Sequence, residues 1–239
     1  MTLIYPCSAC KKECFSELLG TYLLVLIGPA SVITVSLIPE LDSFAALLFV
    51  ASAFGGVVAV AIFLLGKYSG AVINPALTLA VVIGKVVRSK FFIPYLVFQM
   101  SGALLAGLTS LDLWCDSEKR ESGIDGAREG DISHSRDRLR SHRDFCSCKL
   151  RSDSSTRIKR AHNQAFLVGA TLFVLIFLLG PLTGAGLNPA RTIGPALASG
   201  YTENLYVYFV GPIVGAVLAG LLFRLTRNGR AKGNLVCMC

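Results

Sequence analysis

Charge is what this chain has least of. Only 16% of its 239 residues are Asp, Glu, Lys or Arg, whereas 53% are hydrophobic and mean hydropathy is +0.61. Soluble domains stop at roughly 45–50% apolar, so the composition points to a membrane. The charges are also unevenly placed. Of 23 Lys and Arg, 12 fall between Lys119 and Arg160, so the net charge of +8 describes no uniformly basic surface. Nothing here argues for a nucleic-acid partner. An extracellular disulfide framework is missing too. The eight cysteines sit at the start (Cys7, Cys10, Cys14), in the polar middle (Cys115, Cys146, Cys148) and at the end (Cys237, Cys239). No cleavable signal peptide is apparent, because the first apolar run lasts as long as a full span. No catalytic constellation is present either, which disfavours an enzyme, and no cofactor or metal is implied.

What is there is a series of long apolar runs. Phe15 to Ile38, Ser43 to Gly66, Phe91 to Leu111, Phe166 to Gly180 and Leu205 to Leu225 are five recognisable spans. Gly55-Gly56, Gly102 and Gly107 offer close helix contact. Glu17, ionisable at the start of an apolar helix, is either inward-facing or in the headgroup zone. Lys85, Arg88 and Lys90 mark a cytoplasmic loop by the positive-inside rule, and Arg224, Arg227, Arg230 and Lys232 place the C-terminus on the same side.

Between the spans lies an internal repeat. Gly70-Ala71-Val72-Ile73-Asn74-Pro75-Ala76 is matched by Gly184-Ala185-Gly186-Leu187-Asn188-Pro189-Ala190, followed by Arg191. The match extends to Ile62–Gly66 and Ile176–Gly180, which lie equally far before the two asparagines. From Leu77 to Gly84 the chain is too short to cross a core that needs about 20 residues. Asparagine suits an N-cap and proline the first helical turn, so each box predicts a short re-entrant helix. Broken helices at membrane depth are tolerated only against protein or a water-filled cavity. With inverted topology their N-termini would meet at the midplane. Those ends carry partial positive charge, repelling cations while the asparagine amides bond a passing neutral oxygen. Gly70-Ala71-Val72 and Gly184-Ala185-Gly186 are expected to be extended, with carbonyls lining the pore.

These boxes, with their shared lead-in, resemble the aquaporin (major intrinsic protein) family over Lys11 to about Leu111 and Gln164 to about Thr226. The resemblance implies an all-α membrane fold: a right-handed helical bundle with two re-entrant half-helices, usually tetrameric, in the plasma membrane. It places the selectivity constriction on Phe54, Ile176, Ala185 and Arg191, where Phe54 and Ile176 otherwise simply pack between helices. The glycerol-conducting branch typically carries Asp after Asn-Pro-Ala-Arg and Trp at the constriction. Thr192 and Phe54 stand here instead, and Ala196 with Tyr208-Phe209 before Gly211-Pro212 also looks like the water branch. Ile176 and Ala185 make a wider, more apolar constriction, similar to archaeal-type aquaporins. The partners implied are water or a small neutral solute and the lipid bilayer, with no cofactor. A glycerol-type facilitator and a non-conducting relic are the alternatives.

One stretch does not fit. The organisation divides into a first half (11–111), a polar segment (112–164), a second-half remnant (165–226) and a basic tail (227–239). The polar segment holds twelve basic and ten acidic residues where the family has a fourth span. Replacement at constant length with sharp edges suggests a disordered or out-of-frame segment, from two compensating frame errors near residues 112 and 162. A zinc site at His134, His142, Cys146 and Cys148 has the wrong spacing, and a basic arm binding anionic lipid or RNA is weakened by the acids. With five spans, the second half-helix is expected to enter parallel to the first, so that Asn188 could not face Asn74.

Overall fold

The computed structural model describes residues 8–121, 154–200 and 205–228. All the regular structure among them is helical. The long helices are α1 (Ser8–Ser36), α2 (Ser43–Ser69), α4 (Phe92–Glu121), α5 (Ser154–Thr183) and α7 (Val207–Asn228), with two short ones, α3 (Pro75–Ile83) and α6 (Pro189–Ser199). Five stretches are long and apolar enough to cross a bilayer: Lys11–Ser36, Ser43–Ser69, Ser89–Leu111, His162–Thr183 and Val207–Thr226. The protein is thus a multi-pass membrane protein of the all-α class. The third and fourth of these helices run further into the polar segment than its composition suggests, to Glu121 and from Ser154. The rest of that segment, with His134, His142, Cys146 and Cys148, lies outside the described residues, as does the tail beyond Asn228.

Local chemistry sets the helix ends. Asp42 caps α2, its Oδ2 accepting from Phe44 N (3.0 Å) and Ala45 N (3.3 Å). Gly70, left-handed at φ 88°, closes α2 with its N–H on Gly66 O, a conformation that costs glycine little.

Helix directions follow from which residues touch. Glycines at position 20 and 28 of α1 lie against Leu65 and Phe54 of α2, so this pair is antiparallel. Glu17 bonds Gln99, and Val25 packs with Ala103 and Ala106, so α1 and α4 are parallel. Phe44 stacks edge-on to Phe177 and Phe63 lies over His162; α5 therefore runs opposite to α2. Tyr208 reaches Thr183, whereas Gly220 lies beside Ala80 and Ile83, so α7 returns toward the end where α3 finishes. Close backbone approach holds the pairs together. Gly55 and Gly169 face each other, and Gly102 lies under Leu18 O. Gly56 has open space around it and makes no such contact.

Two consequences follow. First, α4 and α5 point the same way, so the chain between Glu121 and Ser154 joins opposite ends of the bundle. Second, α5 packs on α2, while α3 and α6 carry α7. Buried residues form 33% of the α1 and α2 spans and 39% of α4, but only 17% of α5 and 11% of α7. Among the described residues, the second half has no helix in the place that α1 takes in the first.

Candidate functional site

The two Asn-Pro-Ala boxes meet. Asn74 caps α3, its Oδ1 accepting from Ala76 N (2.9 Å) and Leu77 N (3.3 Å). Asn188 caps α6 in the same way, accepting from Ala190 N (3.0 Å) and Arg191 N (3.4 Å). Each amide then crosses to the other loop. Asn74 Nδ2 donates to Leu187 O (3.2 Å) and Asn188 Nδ2 to Ile73 O (2.8 Å). The expectation that five spans would leave the half-helices parallel and apart is corrected. Because α5 runs with α4, the second loop descends from the opposite end and the helix N-termini face each other. One N–H of each amide is used in the crossing, and an amide has two.

Around this junction is a cavity of ≈ 1280 Å³. Asn74, Asn188, Phe54, Ile176, Ala185 and Arg191 all line it. Phe54, Ile176 and Ala185 belong to one buried cluster, and the Arg191 guanidinium carbon stands 4.2 Å from the centre of the Phe54 ring, within cation–π range. Arg191 Nη1 donates to Ala185 O (2.6 Å) and Gly184 O (3.2 Å). Phe54 also packs on Gly28 of α1, so packing and cavity-facing are one arrangement for this ring. Pro75, Ala76, Pro189 and Ala190 do not line the cavity. They start and seat the half-helices, with Ala190 fully buried between α1 and α4.

The loops before the boxes are not uniformly extended. Gly70 and Ala71 have φ of 88° and 47°, and Gly184 and Ala185 have 68° and 46°. Left-handed residues turn successive carbonyls out of the alternation a strand would give, which is how Gly184 O and Ala185 O both reach one guanidinium. The alanines are held in a region that costs a non-glycine residue about 1–2 kcal/mol. Gly70, Ala71 and Val72 line the cavity; Gly184 and Gly186 do not. Gly186 lies against the Tyr208 ring.

What holds the first loop is Glu17. It is fully buried, which removes the headgroup reading. Its Oε1 accepts from Val72 N (2.9 Å) and its Oε2 from Ile73 N (2.7 Å). Gln99 Nε2 donates to Glu17 Oε2 (2.7 Å) and Thr78 Oγ1 (3.0 Å), and Thr78 Oγ1 donates to Asn74 O (2.9 Å). Gln99 and Thr78 escaped notice in the sequence, although a glutamine inside an apolar span is itself a signal.

Residues 6–223 match the model of the major intrinsic protein family. The chain belongs to that family. Among curated relatives, the glycerol uptake facilitator protein-like 6 of Lactiplantibacillus plantarum is 31% identical over 228 residues, covering 90% of this chain and 97% of that one. Aquaporin AqpM of Methanothermobacter marburgensis is 29% identical, covering 89% and 96%. The solved aquaglyceroporin of Plasmodium falciparum superposes with a TM-score of 0.66 at 17% identity, over 92% of this chain and 96% of its own. That likeness carries the fold alone. Major intrinsic proteins are channels.

Proposed function

We propose that this chain is a passive plasma-membrane channel for water, and also for other small neutral solutes or dissolved gases, that excludes ions and protons. The mutual donation of Asn74 and Asn188 across the two loops carries the reading. Two helix N-termini that meet present partial positive charge to the passage, and Arg191 adds a full charge beside Phe54. A cation or hydronium entering there loses hydration against a repulsive field. A neutral oxygen accepts the free asparagine N–H groups and donates to loop carbonyls instead. Phe54, Ile176 and Ala185 give the passage apolar walls, which suits water and small neutral solutes over ions. A homotetramer in the bilayer is the assembly that the family resemblance suggests, with no nucleic acid and no cofactor involved.

Osmotic swelling of proteoliposomes tests the reading. Water permeability above that of empty liposomes is expected, and no rise would sink it. The glycerol-type alternative predicts glycerol flux comparable to that of the glycerol facilitators; Thr192 and Phe54 argue for water first.

The relic reading is favoured by a different observation. Helices α4 and α5 point the same way, and the residues joining them are rich in charge. Each Arg, Lys or Asp at the centre of a span costs about 2.5–3.5 kcal/mol to insert. A chain whose link stays on one side would not bring the boxes together, and its liposomes would swell no faster than empty ones.

A further inference from the structure

The two loops that precede the boxes are supported from behind by different chemistry. Behind residues 70–73 stands the Glu17 carboxylate, which takes the Val72 and Ile73 N–H groups. Behind residues 184–187 no carboxylate stands among the described residues. The Leu187 N–H turns back on Ala185 O (2.8 Å), and the support comes from α7. The Tyr208 hydroxyl donates to Thr183 O (3.0 Å). Its ring lies so close to Gly186 that a Cβ there would run into ring carbons Cδ1 and Cε1. Thr183 Oγ1 in turn accepts from Ala185 N (3.2 Å). On the other side of the same stretch, Arg191 Nη1 donates to Gly184 O and Ala185 O. Residues 183–186 are therefore gripped between Tyr208 and Arg191.

We propose that Tyr208 is the positioning residue of the outer constriction. By fixing Thr183 and Gly186 it sets where the two carbonyls that hold Arg191 stand, and so how far the guanidinium reaches over Phe54 and Ile176. Tyr208 touches no solute itself; it acts through Arg191. The inference rests on the channel reading for its effect on transport, but not for its effect on the loop. A loop with two successive residues in the left-handed region, Gly184 and Ala185, keeps that conformation only when its surroundings over-determine it. In the first half a buried carboxylate does so. In the second half the phenol is the group in place.

Tyr208→Phe is the informative variant, because it keeps the ring against Gly186 and deletes only the hydroxyl. In proteoliposomes, its water permeability should stay within about twofold of the parent, while the glycerol-to-water ratio rises about fivefold, on the scale of one lost neutral hydrogen bond. In an Arg191→Ala background the same change should add nothing, since the group it positions is gone. An unchanged ratio, or a full additive rise in the Arg191→Ala background, would overturn the proposal. Hydrogen exchange of the full chain in detergent gives a readout that needs no transport. Amides of residues 184–187 should exchange about tenfold faster in Tyr208→Phe, on the same scale, and those of residues 70–73 should not change. If the parent chain fails to conduct, the channel reading falls, and exchange alone still decides: equal rates in parent and variant overturn the positioning role.

Discussion

Gln99 Nε2 donates to Glu17 Oε2 at 2.7 Å, inside the membrane span and with both side chains fully buried. The same carboxyl group receives Val72 N–H and Ile73 N–H, so three donors converge on one side chain. Glu17→Ala leaves all three without a partner. An unsatisfied buried donor costs about 1–3 kcal/mol, so the variant should lose about 3 kcal/mol or more, read as a lower unfolding midpoint in detergent. Glu17→Gln should fall between, because its amide N–H₂ opposes one of the donors. A parent-like midpoint for Glu17→Ala would show that the loop is held by something else.

That network also marks where the sequence was legible. The asparagine caps and the proline at the first turn are local, repeated features that point to the half-helices directly, whereas Phe54, Ile176, Ala185 and Arg191 came into view through the family resemblance. Helix direction is a different kind of quantity. It depends on which faces of α2 and α5 interlock, through Gly55 and Gly169 and the Phe44–Phe177 pair, and no count of spans contains that. Counting five spans put the half-helices parallel; packing on α2 turned α5 the other way. The left-handed backbone at Ala71 and Ala185 was hidden for a related reason. Alanine has no preference for it; the Ser69 and Thr183 hydroxyls take the Ala71 and Ala185 N–H groups locally, and Glu17, Tyr208 and Arg191 hold the residues beside them.

Arg191→Ala should separate passage from selection. The guanidinium fills the space beside the Phe54 ring and is the fixed charge at that level of the cavity. Removing it should leave water permeability near the parent's and raise glycerol and urea permeability about tenfold, equivalent to about 1.4 kcal/mol of barrier. Stopped-flow swelling and shrinkage of the same liposome preparation measures both. Arg191→Lys should be intermediate, because an ammonium keeps the charge but not the planar group that lies over the Phe54 ring. Unchanged solute exclusion in Arg191→Ala would remove the residue from its proposed role.

The Gly55–Gly169 crossing should be the weak point of the second half. A Cβ built on Gly169 would come 2.6 Å from Gly55 O, and one on Gly55 would come 2.7 Å from Gly169 O. Either alanine must push α5 off α2, which is its principal support. Overpacking of this kind costs about 1–3 kcal/mol and should displace Ile176 from the cavity. Gly56→Ala, one residue along and facing open space, is the matched control. Gly169→Ala should lower both the unfolding midpoint and water permeability, and Gly56→Ala should lower neither.

The direction of α4 and α5 makes a prediction about the gene as well as the protein. If the bundle assembles in a bilayer as described, a reporter fused after Leu111 lies outside and one fused before His162 lies in the cytoplasm, because the two helices run the same way. The chain must then cross between them. Its residues there include twelve Lys and Arg and ten Asp and Glu between positions 112 and 164, a load no single span carries at about 2.5–3.5 kcal/mol per central charge. The family match runs across the polar stretch, over residues 6–223, and the frame explanation takes that stretch as standing in the place of a span. In the first half the corresponding place is taken by α1, with its buried Glu17 on the loop before the box. A shifted reading frame across this stretch should therefore encode an apolar span with an acidic residue near its start. Restoring that frame should keep the two reporters on opposite sides and give water permeability at least equal to that of the present chain. If neither alternative frame encodes such a span, the frame explanation is wrong; if the present chain already reports opposite sides and conducts, the polar stretch itself makes the crossing.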